Sequence, residues 1–183
     1  MSNLDTFGID ANLNSAKPSV LAFVKKARER DAAIEILDCI LPYDPNAKFR
    51  ILNIPGIIVI ESKLNGLEII RILENCFVSQ AKRIIPIGDV VKPNPTEIIN
   101  GIIKLAEGIK DGGARFKIEL KSYDSSNTYK PIIDVIARKL IMEKGWIVKL
   151  KEPDITIFIH IFSDEAYISI VKRGEMWELK KYL

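Results

Sequence analysis

Hydrophobic positions along this chain recur at two spacings, near 3.6 residues and at 2, and the switches between them mark out its elements. Val20 to Val24 is a short apolar run suited to a buried strand. Ala33, Ile36, Leu37, Ile40 and Leu41 then recur at helical spacing until Pro42 closes the helix. Phe49 to Ile54 and Ile57 to Ile60 read as strands joined by Pro55-Gly56, where proline presets the first turn position and glycine accepts a positive φ. Leu67, Ile70, Leu73 and Phe77 mark a second amphipathic helix. Arg83 to Ile87 is a further strand, whose Pro86 predicts an edge position. The order β-α-β-β-α-β is the ferredoxin-like arrangement.

Val91-Lys92-Pro93-Asn94-Pro95 breaks this run, because the prolines forbid a continuing helix or ladder. Thr96 is the expected start of a helix carrying Ile98, Ile99, Ile102, Ile103, Leu105 and Ile109, ended by Asp111-Gly112-Gly113. Phe116, Ile118 and Leu120 then alternate with Arg115, Lys117, Glu119 and Lys121 in a half-buried strand. A helix from about Pro131 to Lys144 stops at Gly145. Ile155, Ile157, Ile159 and Ile161 alternate with Thr156, Phe158, His160 and Phe162, and a turn at Asp164-Glu165 leads to a last strand over Ala166 to Ile170. The fold class is therefore α/β (α+β). A polar N-terminal arm is expected over 1–17, a ferredoxin-like βαββαβ unit over 18–91, and a small α-β-α-β-β unit over 92–183.

Composition narrows the function classes only slightly. The 183 residues are 48% hydrophobic, enough for a real core, and 27 Lys and Arg against 24 Asp and Glu leave a net charge of +3. Nucleic-acid binding would have to come from local clustering of charge. Cys39 and Cys76 lie on apolar faces of predicted helices without C-x-x-C spacing, and buried reduced thiols are expected. With one histidine in the chain, no metal site is expected. No apolar run reaches the ~18–20 residues of a membrane span, so a soluble cytoplasmic protein without a membrane partner is expected.

No phosphate-binding glycine loop, zinc-protease helix or nucleophile elbow is present. Gly108 to Gly113 follows a helix and precedes a strand, the reverse of the order a phosphate cradle needs. His160 sits mid-strand with no serine or cysteine beside it, so no catalytic residue, no cofactor and no enzyme activity are expected. The face opposite the isoleucines is more suggestive. Arg115, Lys117 and Lys121 share it with Thr156, Phe158, His160 and Phe162, and with Tyr167, Ser169 and Arg173. Cations interleaved with aromatics on an open sheet can stack unpaired bases. Burial of Phe158 and Phe162 against the Ile98–Ile109 helix is the competing and favoured reading. Lys130, Arg138, Lys139, Lys149 and Lys151 on and after the last long helix form a second basic group, with Lys82 and Arg83 in the first half. All are candidate phosphate contacts.

The block Val148-x-Leu150-x-x-Pro153-Asp154, its isoleucine strand, and Asp164-x-Ala166-Tyr167-Ile168-Ser169-Ile170 resemble the end of a THUMP domain. The run Lys82-Arg83-Ile84-Ile85-Pro86-Ile87 resembles the strand that closes the ferredoxin-like domain preceding THUMP. The resemblance implies binding of the acceptor stem and 3′ end of tRNA, and delivery of a modification site to a catalytic domain such as a methyltransferase, thiouridine synthetase or deaminase. The chain stops soon after the THUMP-like strands, so it resembles stand-alone adaptors that bind tRNA for an RNA cytidine acetyltransferase, where N4-acetylcytidine forms. Family members often carry a basic, serine-containing loop after the first THUMP strand. Here Lys121 to Lys130 includes Asp124, which shifts the expected contacts from Ser125 and Ser126 to Lys121 and Lys130. The alternative is a protein-interaction module that uses the aromatic sheet face to dimerise; a monomer or weak dimer is expected.

Overall fold

The computed structural model describes residues 15–124 and 129–179. Most of the expected N-terminal arm, together with Ser125 and Ser126, lies outside the described residues. The chain forms β1 (Lys17–Val24), α1 (Glu29–Ile40), β2 (Lys48–Ile51), β3 (Ile57–Ser62), α2 (Gly66–Leu73), β4 (Ala81–Pro86) and β5 (Asp89–Val91). It continues through α3 (Pro95–Glu107), β6 (Arg115–Ser122), α4 (Lys130–Lys144), β7 (Ile147–Val148), β8 (Ile155–Ile161), β9 (Ala166–Lys172) and β10 (Trp177–Glu178). The first sheet runs β10-β4-β1-β3-β2 and is antiparallel throughout, which contains the ferredoxin-like order. The second runs β5-β9-β8-β6-β7, with β6 parallel to both β8 and β7. The class is mixed α+β.

Each sheet buries both faces. Val20, Ala22, Ile58, Ile60 and Ile84 pack under Ile36, Ile40, Ile69 and Leu73 of α1 and α2. Ile155, Ile157, Ile159 and Ile161 pack under Ile98, Ile102, Ile132, Ile136 and Leu140 of α3 and α4. The remaining faces meet each other: Leu21, Ile57 and Val59 against Phe162 and Tyr167, and Ile85 against Phe158 and Val171. The result is a four-layer α/β/β/α stack. The chain also crosses between sheets, since β5 is hydrogen-bonded to β9 and β10 to β4. Ser169 Oγ donates to Pro86 O at 2.6 Å, and Gly88 N to Ile168 O at 2.9 Å, at the seam.

Local chemistry accounts for the helix ends. α2 begins with a capping box, Asn65 accepting from Glu68 N while the Glu68 carboxylate accepts from Asn65 N. α3 is capped by Asn94, with Pro95 in the first turn, so Thr96 is not the cap: the Asn94 side chain reaches the Glu97 N–H first. α4 stops at Gly145, whose φ of 66° suits a left-handed cap.

Three further expectations are corrected. β4 is not an edge strand, because β10 covers it at Arg83 and Ile84; Pro86 is tolerated at its end, beyond that pairing. Phe77 does not belong to the apolar face of α2, which ends at Leu73, and its side chain is 86% exposed. Cys39 and Cys76 are not separate reduced thiols: they are half-buried between α1 and the segment after α2, Cα atoms 6.3 Å apart, and joined as a disulfide. Among the described residues, no helix is long and apolar enough to cross a membrane.

Candidate nucleic-acid interface

The inner face of the second sheet carries the aromatic residues singled out in the sequence, and it is closed. Cross-strand register sets Phe158 beside Ser169 and His160 beside Tyr167. Phe158, His160, Tyr167 and Ser169 are all buried, with Phe162 nearly so. The cover is the first sheet, with the Phe23 ring 5.0 Å from the His160 ring. Burial of Phe158 and Phe162 is therefore as favoured, but their partner is the first sheet, not the α3 helix, which takes the isoleucine face. The aromatic surface needed for base stacking or for a dimer is core in this chain. The signal was present in the first half: Val20–Val24, Ile57–Ile60 and Ile84-Ile85 are continuous apolar runs, not alternating ones, and such strands are buried on both faces.

His160 shows what that closure costs. Nδ1 lies 3.4 Å from the Tyr123 hydroxyl, and Nε2 is buried without a partner among the described residues. Burial, reinforced by the charges of Arg83 and Lys121, lowers its pKa to about 3, so the ring is neutral at pH 7. Burial likewise pushes the Tyr123 phenol up to about 12. At the far end of the seam, Arg50 of β2 donates to Glu165 at 2.9 Å, to the Tyr167 hydroxyl at 3.0 Å and to Glu61 at 3.2 Å. Burial pushes the Glu165 carboxyl up, but the hydrogen bonds from Tyr167 and Arg50 outweigh it and leave the group below its ordinary value. Sequence reasoning did not find this clamp, since a lone arginine in a strand carries no pattern.

The cations along the rim of the closed face form a strip. Arg83 of β4 lies over the Phe23 and Phe158 rings at 5.1 and 5.3 Å and reaches Glu119 at 3.6 Å. Lys117 meets the same carboxylate at 2.6 Å. Arg115 makes a bidentate pair with Asp154, at 2.6 and 2.8 Å, and Arg173 approaches Asp154 at 3.7 Å. The Arg115 hydrogen bonds hold the Asp154 carboxyl well below the usual carboxylate range. Four cations thus share two carboxylates, leaving two positive charges, and the exposed Lys121, over the Tyr123 ring at 5.5 Å, extends the strip, while Lys82 is exposed at the preceding position of β4. A cleft of about 490 Å³ between β6, β8, β9 and the approach to β10 is lined by Lys117, Lys172 and Arg173 together with Glu152 and Glu178.

Lys130, Arg138 and Lys139 are exposed on α4, which packs on the other face of the second sheet. Lys149 and Lys151 follow β7 at the sheet edge, where Lys149 N donates to Phe116 O at 2.7 Å. None of these five has a carboxylate within 4.0 Å among the described residues. The structure thus divides the sequence candidates into a carboxylate-buttressed strip and a separate group on α4 and β7. No group of three or more metal-ligating side chains occurs among the described residues.

Residues 92–171, from the α3 entry through β9, match the family model of the THUMP domain. Over that stretch the chain is similar to the THUMP domain. Its fold is shared by PH1313 from Pyrococcus horikoshii Ot3 (TM-score 0.60, 16% identity, 85% of this chain and 55% of that one). It is also shared by TrmN from Thermus thermophilus (0.60, 14%, 82% and 44%) and by a 4-thiouridine synthetase solved with RNA and bound ATP (0.55, 13%, 88% and 42%). The chain spans about half the length of these structures, and at such identities the likeness is one of fold. No curated protein matches the sequence.

Proposed function

We propose that this protein is a non-catalytic tRNA-binding module that grips the acceptor stem and 3′ end of tRNA and presents the molecule to a separate modification activity, N4-acetylcytidine formation being the specific reaction favoured. The observation that carries the reading is the coincidence of the THUMP match over 92–171 with the cationic strip on β6 and β4. Arg83, Arg115, Lys117 and Arg173 serve as phosphate contacts held in place by Glu119 and Asp154, with Lys121 beside them; Lys82, the preceding residue of β4, and Lys130, on the separate α4 surface, serve as further phosphate contacts. Preorganised guanidinium groups lose less freedom when a phosphate arrives. The absence of catalysis within the module is supported by its one imidazole being buried and neutral. The ferredoxin-like unit over 18–91 is proposed to act with the THUMP domain as one body, because their sheets share a core.

Filter binding of an intact tRNA and of the same tRNA trimmed of its single-stranded 3′ end tests the proposal. Intact tRNA is expected to bind more tightly and with a steeper salt dependence, since trimming removes phosphates. Equal affinity for both, or none for either, would overturn it.

A further inference from the structure

The second basic group lies where apolar side chains are left in solvent. Val135, Ile141 and Met142 on α4, and Ile147, Val148 and Leu150 on and after β7, are all exposed, Met142 at 79% and Leu150 at 75%. They fall within sixteen residues of one another in sequence, and β7 is the outermost strand of its sheet, packed beside α4. Single exposed apolar residues are ordinary, but a concentration of this kind marks a surface that another molecule covers.

Charge identifies the occupant. Arg138 and Lys139 each stand one helical turn from both Val135 and Met142, so they flank the apolar stripe directly. Lys149 and Lys151 alternate with Val148 and Leu150 along the edge. Asp134, Glu143 and Glu152 also border the patch, but none of them lies within 4.0 Å of these four cations. The contrast with the strip on β6, where every arginine already has a carboxylate, is the decisive point. A second copy related by a two-fold axis would set these cations against their own images, which is unfavourable. Phosphates alone would leave Met142 and Leu150 uncovered.

We propose that the α4–β7 surface is a docking site for an acidic, apolar protein segment, one that lays aliphatic or aromatic side chains on the Val135–Met142 and Val148–Leu150 stripes and carboxylates on Arg138, Lys139, Lys149 and Lys151. The site is distinct from the RNA strip and does not depend on it.

Selection of a random phage-displayed dodecapeptide library on the full chain tests this, with counter-selection against the Met142→Ser, Leu150→Ser double variant. Both positions are exposed, so folding is preserved. Enriched peptides are expected to combine apolar residues with net negative charge, to bind the double variant at least about tenfold more weakly, and to lose affinity for Arg138→Glu, Lys139→Glu. No enrichment, or enrichment of neutral or basic peptides, overturns the proposal. So does a fall in tRNA affinity in the double variant, which would assign the patch to RNA. A dimer in light scattering that the double variant abolishes would assign it to a second copy and also overturn it.

Discussion

Replacing His160 with Phe should flatten the stability of this protein against pH in a window where few other groups act. In the folded state His160 is held neutral by burial and by the neighbouring Arg83 and Lys121, with a pKa of about 3 against 6.5 for a free imidazole. As pH falls through 6.5 the unfolded chain takes up a proton that the folded chain refuses, so stability is full above pH 6.5 and is lost toward pH 3. The slope approaches 1.4 kcal/mol per pH unit. Between pH 7.5 and pH 5 this amounts to about 2 kcal/mol, a large share of the stability of a small domain. Carboxyl groups held low, such as Glu35, Asp44 and Glu165, add losses of the same sign, but only as pH falls toward their ordinary values of 4.5 and 3.8. The assay is urea denaturation of both proteins across that window. Phe fits the aromatic surroundings of Phe23, Phe158 and Tyr123 and removes the unpartnered Nε2. Equal pH slopes for the two proteins would refute the reasoning, whatever their absolute stabilities.

Gly66→Ala should destabilise the protein by about 2–3 kcal/mol, because a Cβ there would sit 2.5 Å from the Ser19 carbonyl oxygen and 2.7 Å from Pro86 Cα, both backbone. Gly112→Ala, with nothing within 4 Å, is the control, and similar thermal midpoints for the two would count against the packing described. Reducing the Cys39–Cys76 disulfide, which closes a loop of sequence separation 37, should cost about 4 kcal/mol by chain entropy; a melting temperature indifferent to reductant would contradict the pairing. Asp154→Asn should weaken tRNA binding at low salt, since it releases Arg115 and Arg173 from the carboxylate that fixes them. Unchanged or tighter filter binding by this variant would show that Asp154 competes with phosphate instead of positioning the two arginines.

The elements were legible because each announces itself locally: Gly56 in its turn with φ of 83°, Gly145 at its cap, and the isoleucine alternation of β8. Pairings between distant segments were not. Nothing in the local sequence says that Trp177 and Glu178 return to cover β4, or that Asp89–Val91 joins the sheet of the second unit. The disulfide shows the same limit, because two cysteines on separate amphipathic faces look alike whether their helices are neighbours or not. The candidate cations were found by type but not by state. Arg115 and Arg173 converge on Asp154 only because β6, β8 and the end of β9 are adjacent, a contact between residues 19 to 39 positions apart.

Burial of the aromatic face changes the kind of recognition the proposed RNA strip can perform. A stacking platform would read unpaired bases at about 1–3 kcal/mol each, whereas Phe158, His160 and Tyr167 have spent that capacity on holding two sheets together. What remains on the rim is guanidinium and ammonium groups, and such contacts fix position and orientation without reading sequence. A surface of this type accepts many RNAs that share one backbone shape and discriminates by where their phosphates lie. Under the proposed function that suits a module serving a set of related tRNAs, with the choice of nucleotide left to the partner. Charge division within the chain fits the two proposals: cations paired with Glu119 and Asp154 hold a fixed geometry suited to phosphates, while those on α4 and β7, without a carboxylate within 4.0 Å among the described residues, suit a partner that brings its own.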